Sequence, residues 1–331
     1  MGAYVIRTSL FKLATLFIIS IMSFLIIHLA PGEPSQIDPL NPRFTQEDLA
    51  RYRAAFDLDK PLPVQYWLFY KKFFTGELTS LKDNQPVFGK IWRRFLISLP
   101  LFIVGTIITW CLSFPLGIAG ALRRYSVFDR STTFLSYLMI SMPSFFLAYI
   151  LIIAVVQGFT LPFTGYHVPG LEVSVLGIET FGRGDVSPLF RINDRVWHLV
   201  LPSLVGAIGG IAVLSRYVRG QMIEVVDSDF IRTAHSKGLD ENTVNYVHAL
   251  RNAGLPFVTM FGLILPGLIG GSVIIENIFA WPGMGRLGFE AVLARDYPVI
   301  LSLNFISAIL VVIGTFISDI LLVIVDPRIR L

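Results

Sequence analysis

Six stretches of near-continuous apolar residues constrain this chain more than anything else in it: Phe11–Ala30, Leu96–Leu122, Phe134–Val156, Trp197–Val218, Leu255–Ile275 and Val299–Val325. A helix needs about 20 residues to cross roughly 30 Å of hydrocarbon. Inside lipid every main-chain polar group must be satisfied within the segment, which makes each run helical. A water-soluble domain does not carry six such helices. With 54% hydrophobic and 15% charged residues and a mean hydropathy of +0.67, the chain lies outside the soluble range. The reading is an all-α integral membrane protein with about six transmembrane helices.

Orientation follows from Lys and Arg in the short connections. With a cytoplasmic N-terminus the inner segments hold Arg7, Lys12, Arg123, Arg124, Arg130, Arg216, Arg219, Arg232, Lys237, Arg251, Arg328 and Arg330. The short outer loops hold Arg183, Arg191, Arg195, Arg286 and Arg295, so both termini are expected inside. Arg93 and Arg94 oppose this bias, but they close the long loop Pro31–Phe95, where the rule weakens. The first run follows Arg7 and Lys12 as a signal sequence would. No small-residue cleavage site precedes Pro31, and an uncleaved anchor is expected.

The long outer loop has features of its own. Thr45 and Asp48 have the form of a capping box, with Leu49, Tyr52 and Phe56 on one helix face. Val64–Phe74 mixes Tyr66, Trp67, Phe69, Tyr70, Phe73 and Phe74 with Lys71 and Lys72, which suits a helix at headgroup level or a packing cap over the bundle. Gln157–Val196, rich in Gly and Pro, is expected to cover the outer mouth. Trp281-Pro282-Gly283 is turn chemistry, followed by a short amphipathic helix over Arg286–Arg295.

Against this apolar background the polar stretch Asp227–Thr259 stands out. Ser228 or Asp227 can cap a short helix, and Gly238 offers a left-handed stop. Asp240 can cap a second helix with Val244, Val247 and Leu250 on one face, ended by Gly254 before Pro256. A compact helix–Gly–helix hairpin on a membrane protein reads as a docking element. The flanking runs carry Gly206-x-x-x-Gly210 and Gly267-x-x-x-Gly271, a spacing that lets helix backbones approach closely.

Chemistry is otherwise scarce. There is no G-x-x-x-x-G-K-[ST] phosphate loop and no nucleophile elbow. His28, His167, His198, His235 and His248 share no metal spacing, and no basic patch with interleaved aromatics points to nucleic acid. The lone Cys111 lies in an apolar run and reads as packing. Among ionisable groups in the spans, Glu276 and His28 sit near outer ends. Asp319 is the one candidate coupling site for an ATP-independent carrier or channel, the rival reading. The chain looks like a pathway whose energy comes from a partner.

At this point the residues resemble a known family. FIRTAHSKGL followed by VHALRNAGLPFVT is similar to the cytoplasmic EAA loop of ABC-importer permeases: a small pair at Thr233-Ala234, the glycine at Gly238, and Leu255-Pro256 at the close. Arg232 stands where the family has a glutamate, and the gap from Gly238 to Pro256 is long. Both departures resemble the peptide and nickel branch. So do Ala30-Pro31-Gly32-Glu33-Pro34, Lys60-Pro61-Leu62-Pro63, Gly76-Glu77-Leu78, Phe279 to Leu287, Arg295-Asp296-Tyr297-Pro298 and Asp326-Pro327-Arg328.

The resemblance implies a type I ABC-importer permease of the dipeptide/oligopeptide kind, with a nickel or other small-solute permease as the alternative within the family. It divides the chain into an anchor plus extracytoplasmic segment (1–95) and a permease core (96–331) whose EAA loop covers about 219–254. The implied partners are a homologous second permease, two cytoplasmic ATPases that use ATP and Mg, and an extracytoplasmic peptide-binding protein. No cofactor is expected on this chain, and the implied place is a bacterial or archaeal cytoplasmic membrane. Phe230, Ile231, Arg232, Thr233, Ala234, Lys237, Gly238 and Leu239 would form the ATPase contact.

Overall fold

The computed structural model describes residues 2–29, 56–156 and 188–325, with 47, 50, 53 and 54 besides. The capping box at Thr45, most of the Gln157–Val196 loop and the ending Asp326-Pro327-Arg328 lie outside the described residues. Twelve α-helices and one π-helical turn carry the described chain. The first is α1 (Gly2–Leu29), then α2 (Leu62–Thr75) and α3 (Val87–Leu122). Next come α4 (Val127–Ser141), α5 (Ser144–Val156), α6 (Pro188–Val226) and α7 (Asp229–Ser236). The π-turn Thr243–Ala249 leads into α8 (Leu250–Ala253), α9 (Leu255–Gly270), α10 (Val273–Ile278), α11 (Met284–Leu293) and α12 (Tyr297–Val325).

Among the described residues five helical stretches are long and apolar enough to cross a membrane, and a sixth arises if α4 and α5 count as one broken span. Five of the six sequence runs therefore match helices. The third, Phe134–Val156, does not run straight: α4 and α5 meet at a bend of 100°. Pro143 comes directly after Met142, and Met142 leaves the helical region (φ −85, ψ 122) as the residue before a proline is driven to do. Pro100, Pro115, Pro202 and Pro266 remain inside helices, where neighbouring helices tolerate the lost N–H. α3 runs unbroken through residue 95, so the 95/96 boundary read from the sequence cuts a continuous helix.

The firmest pairings are α3 with α6 and α9 with α12. Backbones touch where side chains are absent. A Cβ on Gly314 would lie 1.9 Å from the Gly262 carbonyl oxygen, and one on Gly117 would lie 2.6 Å from that of Ser215. Of the two glycine pairs noted in the sequence, three members lie against side chains of other helices. Gly206 faces Ile275, Gly210 faces Thr109 and Gly267 faces Phe102. Gly271 ends α9 with φ +55 and lies against the Gly285 backbone, not against a second long span. Spacing alone shows that close approach is available, not which helix takes it.

The packing gathers into three buried clusters. One, at the hairpin end, joins Ile118, Val218 and Met222 to the hairpin itself. A second, at the far end, gathers Phe24, Phe69, Val87, Ile269, Met284 and Val299. The third, Ala148, Leu201, Val205, Ile275 and Phe279, binds α10 to α5 and α6. The aromatic helix α2 is a packing cap: Tyr66 bonds Ser20 at 2.7 Å, while Tyr70 and Phe73 meet Phe305 edge-on. Its Trp67 and Phe74 remain exposed.

Candidate functional site: the polar hairpin

With 39 residues α6 reaches about 58 Å, well beyond a bilayer's hydrocarbon, and delivers the chain to the hairpin clear of the lipid. Ser228 occupies the N-cap position of α7 in extended conformation. Its hydroxyl turns back to the Val225 carbonyl and does not cap the helix N–H groups, contrary to the sequence expectation. α7 ends as the sequence indicates, at Gly238 with φ +77. The Leu239 N–H returns to the Ala234 carbonyl and the Gly238 N–H to that of His235, a Schellman-type closure. A side chain at Gly238 would meet nothing within 4 Å, so only backbone strain opposes one there.

Asp240 accepts the Thr243 N–H at 3.0 Å and caps the second helix. Hydrogen bonds from Thr243, side chain and main chain, hold its carboxyl below the ordinary range. The helix that Asp240 caps is wider than an α-helix. Its π-turn takes an extra residue per turn, which places Val244 and Ala249, five apart, on the buried side. Val247, expected on that face by α-helical spacing, is exposed instead. Gly254 does not stop the helix either. It has right-handed φ and ψ (−75, −20), and the chain passes through it into α9.

The eight candidate contact residues divide in two. Ile231 (1% exposed) and Ala234 face inward with Val218, Met222, Val244, Ala249 and Ala253. They anchor the hairpin to α6 and α3, which corrects their placement on the contact surface. Phe230 (45%) and Leu239 (39%) face outward with Arg232, Thr233, Lys237 and Gly238. Sequence reasoning missed Tyr246 and Val247, which are also exposed because the π-turn rotates them out. Arg232 pairs with Asp229 at 3.4 Å, a solvated pair of little weight.

The hairpin base is tied to the corner between α3 and α4. Arg124 grips Asp227 with two hydrogen bonds, 3.2 and 2.9 Å. About two turns back along α6, Arg219 holds buried Asp129 of α4 at 2.6 and 2.8 Å, and Asp129 also accepts the N–H of Tyr125. Tyr125 has φ +61, and this bond fastens that strained turn. Asp319, the one candidate coupling carboxylate, lies 2.8 Å from Lys12 and fastens α1 to α12. Among the described residues no group of three His, Cys, Asp or Glu is arranged for a metal.

A bundle of membrane-crossing helices with a polar hairpin seated between two of its spans defines a multi-pass membrane protein. Residues 113–331 match the family described as binding-protein-dependent transport system inner membrane component, and residues 1–102 match its N-terminal companion. The chain belongs to this family of transport permeases. The oligopeptide transport system permease protein AppB of Bacillus subtilis is 40% identical over the full length of both chains. The dipeptide transport system permease protein DppB of Alkalihalophilus pseudofirmus is 35% identical, again over both full lengths. The glutathione transport system permease protein GsiC of Salmonella typhi is 33% identical, over 99% of this chain and 98% of its own. The protein is a permease subunit and not an enzyme.

Proposed function

We propose that this permease forms half of the pathway of a peptide importer in the cytoplasmic membrane of a bacterium or archaeon. Both termini and the hairpin face the cytoplasm. A homologous second permease completes the pathway, and an extracytoplasmic receptor delivers dipeptides or oligopeptides. Two ATPase subunits supply ATP and Mg chemistry that this chain lacks. Full-length likeness to oligopeptide and dipeptide permeases supports the substrate class.

The observation that carries the mechanism is the division of the hairpin. Its inner face is packed into α3 and α6, while Phe230 and Leu239 stand in solvent on either side of slim Gly238. Such a group fits a groove on a partner. Closure of the ATPases then moves the hairpin as a rigid lever and shifts a two-state bundle.

The test is purification of the tagged chain from its host in mild detergent, mass spectrometry of what accompanies it, and peptide uptake by the reconstituted complex. Stoichiometric ATPases and a second permease are expected, and a homo-oligomer alone would overturn the reading. Gly238→Trp should insert normally yet uncouple ATP hydrolysis from uptake. Gly238→Ala carries the same backbone strain without bulk and should keep both activities. Normal uptake in the Trp variant would remove this loop from the coupling role.

A further inference from the structure

At the end opposite the hairpin the fifth span breaks, and one buried carboxyl group organises the break. α9 stops at Gly271, whose φ of +55 and ψ of −168 only glycine adopts readily. The short α10 carries Glu276, 1% exposed, and the chain then turns through Trp281-Pro282-Gly283 into α11. Glu276 Oε2 accepts the Arg286 N–H at 2.8 Å. Its Oε1 accepts the Ser98 hydroxyl of α3 at 3.1 Å, and that hydroxyl accepts the Met284 N–H at 2.7 Å. Two of the otherwise unbonded N–H groups at the start of α11 are thus satisfied from other helices.

Glycines make the space. A Cβ on Gly283 would lie 2.2 Å from Ser98 Oγ, and one on Gly271 would lie 2.8 Å from Glu276 Oε1 and 2.5 Å from the Gly285 nitrogen. One on Gly285 would lie 2.8 Å from the Val273 nitrogen. The Trp281 indole N–H adds a bond to the Ile97 carbonyl of α3 at 3.1 Å.

Glu276 also stands between two packed bodies. On one side Ile275 and Phe279, its neighbours in and just after α10, are buried with Leu201 and Val205 of α6. On the other, Met284 and Leu287 of α11 are buried with α1, α2, α3 and α12. α6 is the helix whose opposite end carries the hairpin. α6 packs directly along α3 as well, while the Glu276 carboxyl is the tie that fastens α10 to α3 and to the start of α11.

We propose that Glu276 is a positioning residue for transport: it joins the α6 side of the permease to its far-end corner, so that hairpin movement opens and closes that end. This rests on the importer reading above. It assigns no substrate contact to Glu276.

The test uses the complete complex with its ATPases and receptor, and compares wild type, Glu276→Gln, Glu276→Ala and Ser98→Ala. Glu276→Gln keeps the volume but sets an NH2 group against an N–H or O–H donor. Glu276→Ala leaves both donors without it. The readouts are assembly, substrate moved per ATP hydrolysed, and hydrogen exchange at the Met284 and Arg286 amides.

In Glu276→Ala and Glu276→Gln, faster exchange at both amides is expected together with about a tenfold fall in substrate per ATP, while assembly and ATP hydrolysis persist. Ser98→Ala, which keeps the Glu276 carboxyl group and should assemble even if the Glu276 variants do not, is expected to show a smaller fall in the same ratio. Uptake and hydrolysis falling together, or an unchanged ratio despite faster exchange, would overturn the proposal. A wild-type preparation that assembles with no ATPase defeats the importer reading instead, and the exchange result still reports on the Glu276 tie.

Discussion

The two ends of the permease hold carboxylates in opposite ways. At the hairpin end buried Asp129 is gripped by an arginine fork from Arg219, and exposed Asp227 by a second one from Arg124. At the far end Glu276 and Asp296, each 1% exposed, are held by hydroxyls and main-chain N–H groups: Ser98 and Arg286 N for the first, Ser80 and Leu81 N for the second. An arginine fork is strong and geometrically demanding, and it fixes the lever to its base. Neutral donors bind a carboxyl group more weakly and cost less to exchange. The difference is what the proposed mechanism requires, with a push at one end and a rearrangement at the other.

The largest effect is expected from Arg219→Leu, which strands Asp129 in a buried site. Breaking a fully buried pair costs about 3–5 kcal/mol. Arg219 keeps 29% of its side chain exposed, so a loss of about 2–3 kcal/mol is expected. The thermal midpoint of the purified protein measures it. Asp129→Leu combined with Arg219→Leu should recover most of the loss, since no charge is then left unpaired. Equal losses in single and double variants would assign the cost to packing and break the contrast between the two ends.

Ser80→Ala probes the far end. Ser80 is fully buried, and its hydroxyl donates to Asp296 while accepting from Lys90 Nζ at 3.0 Å. The Leu81 N–H, 3.0 Å from the same carboxyl group, stays in place, so a loss of about 1–2 kcal/mol is expected. Faster protease cleavage within residues 77–86 should accompany it. A loss as large as that of Arg219→Leu would show that donor charge does not distinguish the ends.

Much of this contrast is invisible in the sequence, for physical reasons. Hydrophobic run length reveals spans because the bilayer imposes it, and among the described residues it locates five crossing stretches and the one that bends by 100°. It does not show the bend at Met142-Pro143, since four other prolines sit inside helices without a comparable break. The hairpin's position, its Gly238 turn and its Asp240 cap are legible because each is local chemistry. Which residues face inward is not. One π-turn shifts the register and exposes Val247, and Ile231 is buried by helices distant in sequence. Glu276 reads as an ionisable group near a span end. Its burial depends on Ser98, 178 positions earlier, and no local pattern reports that.

A pH experiment sharpens the comparison at smaller scale. Asp57 and Asp83, in the polar layer at the far end, are pushed up by burial, but lysines outweigh it: Lys60 and Lys72 for the first, Lys90 for the second. Both carboxyls therefore lie below their ordinary value of 3.8. A lowered folded pKa contributes stability that is full above the unfolded value and fades as pH falls through the folded one. Hydrogen exchange in residues 57–60 and 80–90, divided by the intrinsic rate at each pH, should be flat from pH 7 to 5 and rise below 3.8. Asp57→Asn should remove the rise in the first segment alone. A rise already present near pH 5 would place the titration in other groups.

The smallest effect on the fold, and the most informative about the partner, is expected from Arg232→Glu. Arg232 keeps 76% of its side chain exposed, and its mate Asp229 keeps 98%. Exposed pairs of this kind add almost nothing to stability. The thermal midpoint should not move, and the hairpin should stay seated, since Ile231 and Ala234 anchor it on the opposite face. The variant reverses the charge at an exposed position, so any change belongs to the partner's surface. If acids on the ATPase face Arg232, binding weakens several-fold at low salt, and the difference shrinks as ionic strength rises past about 0.1 M, where the screening length is about 10 Å. Unchanged affinity at every salt concentration would leave the apolar pair Phe230 and Leu239 as the carrier of the contact, with Arg232 in solvent.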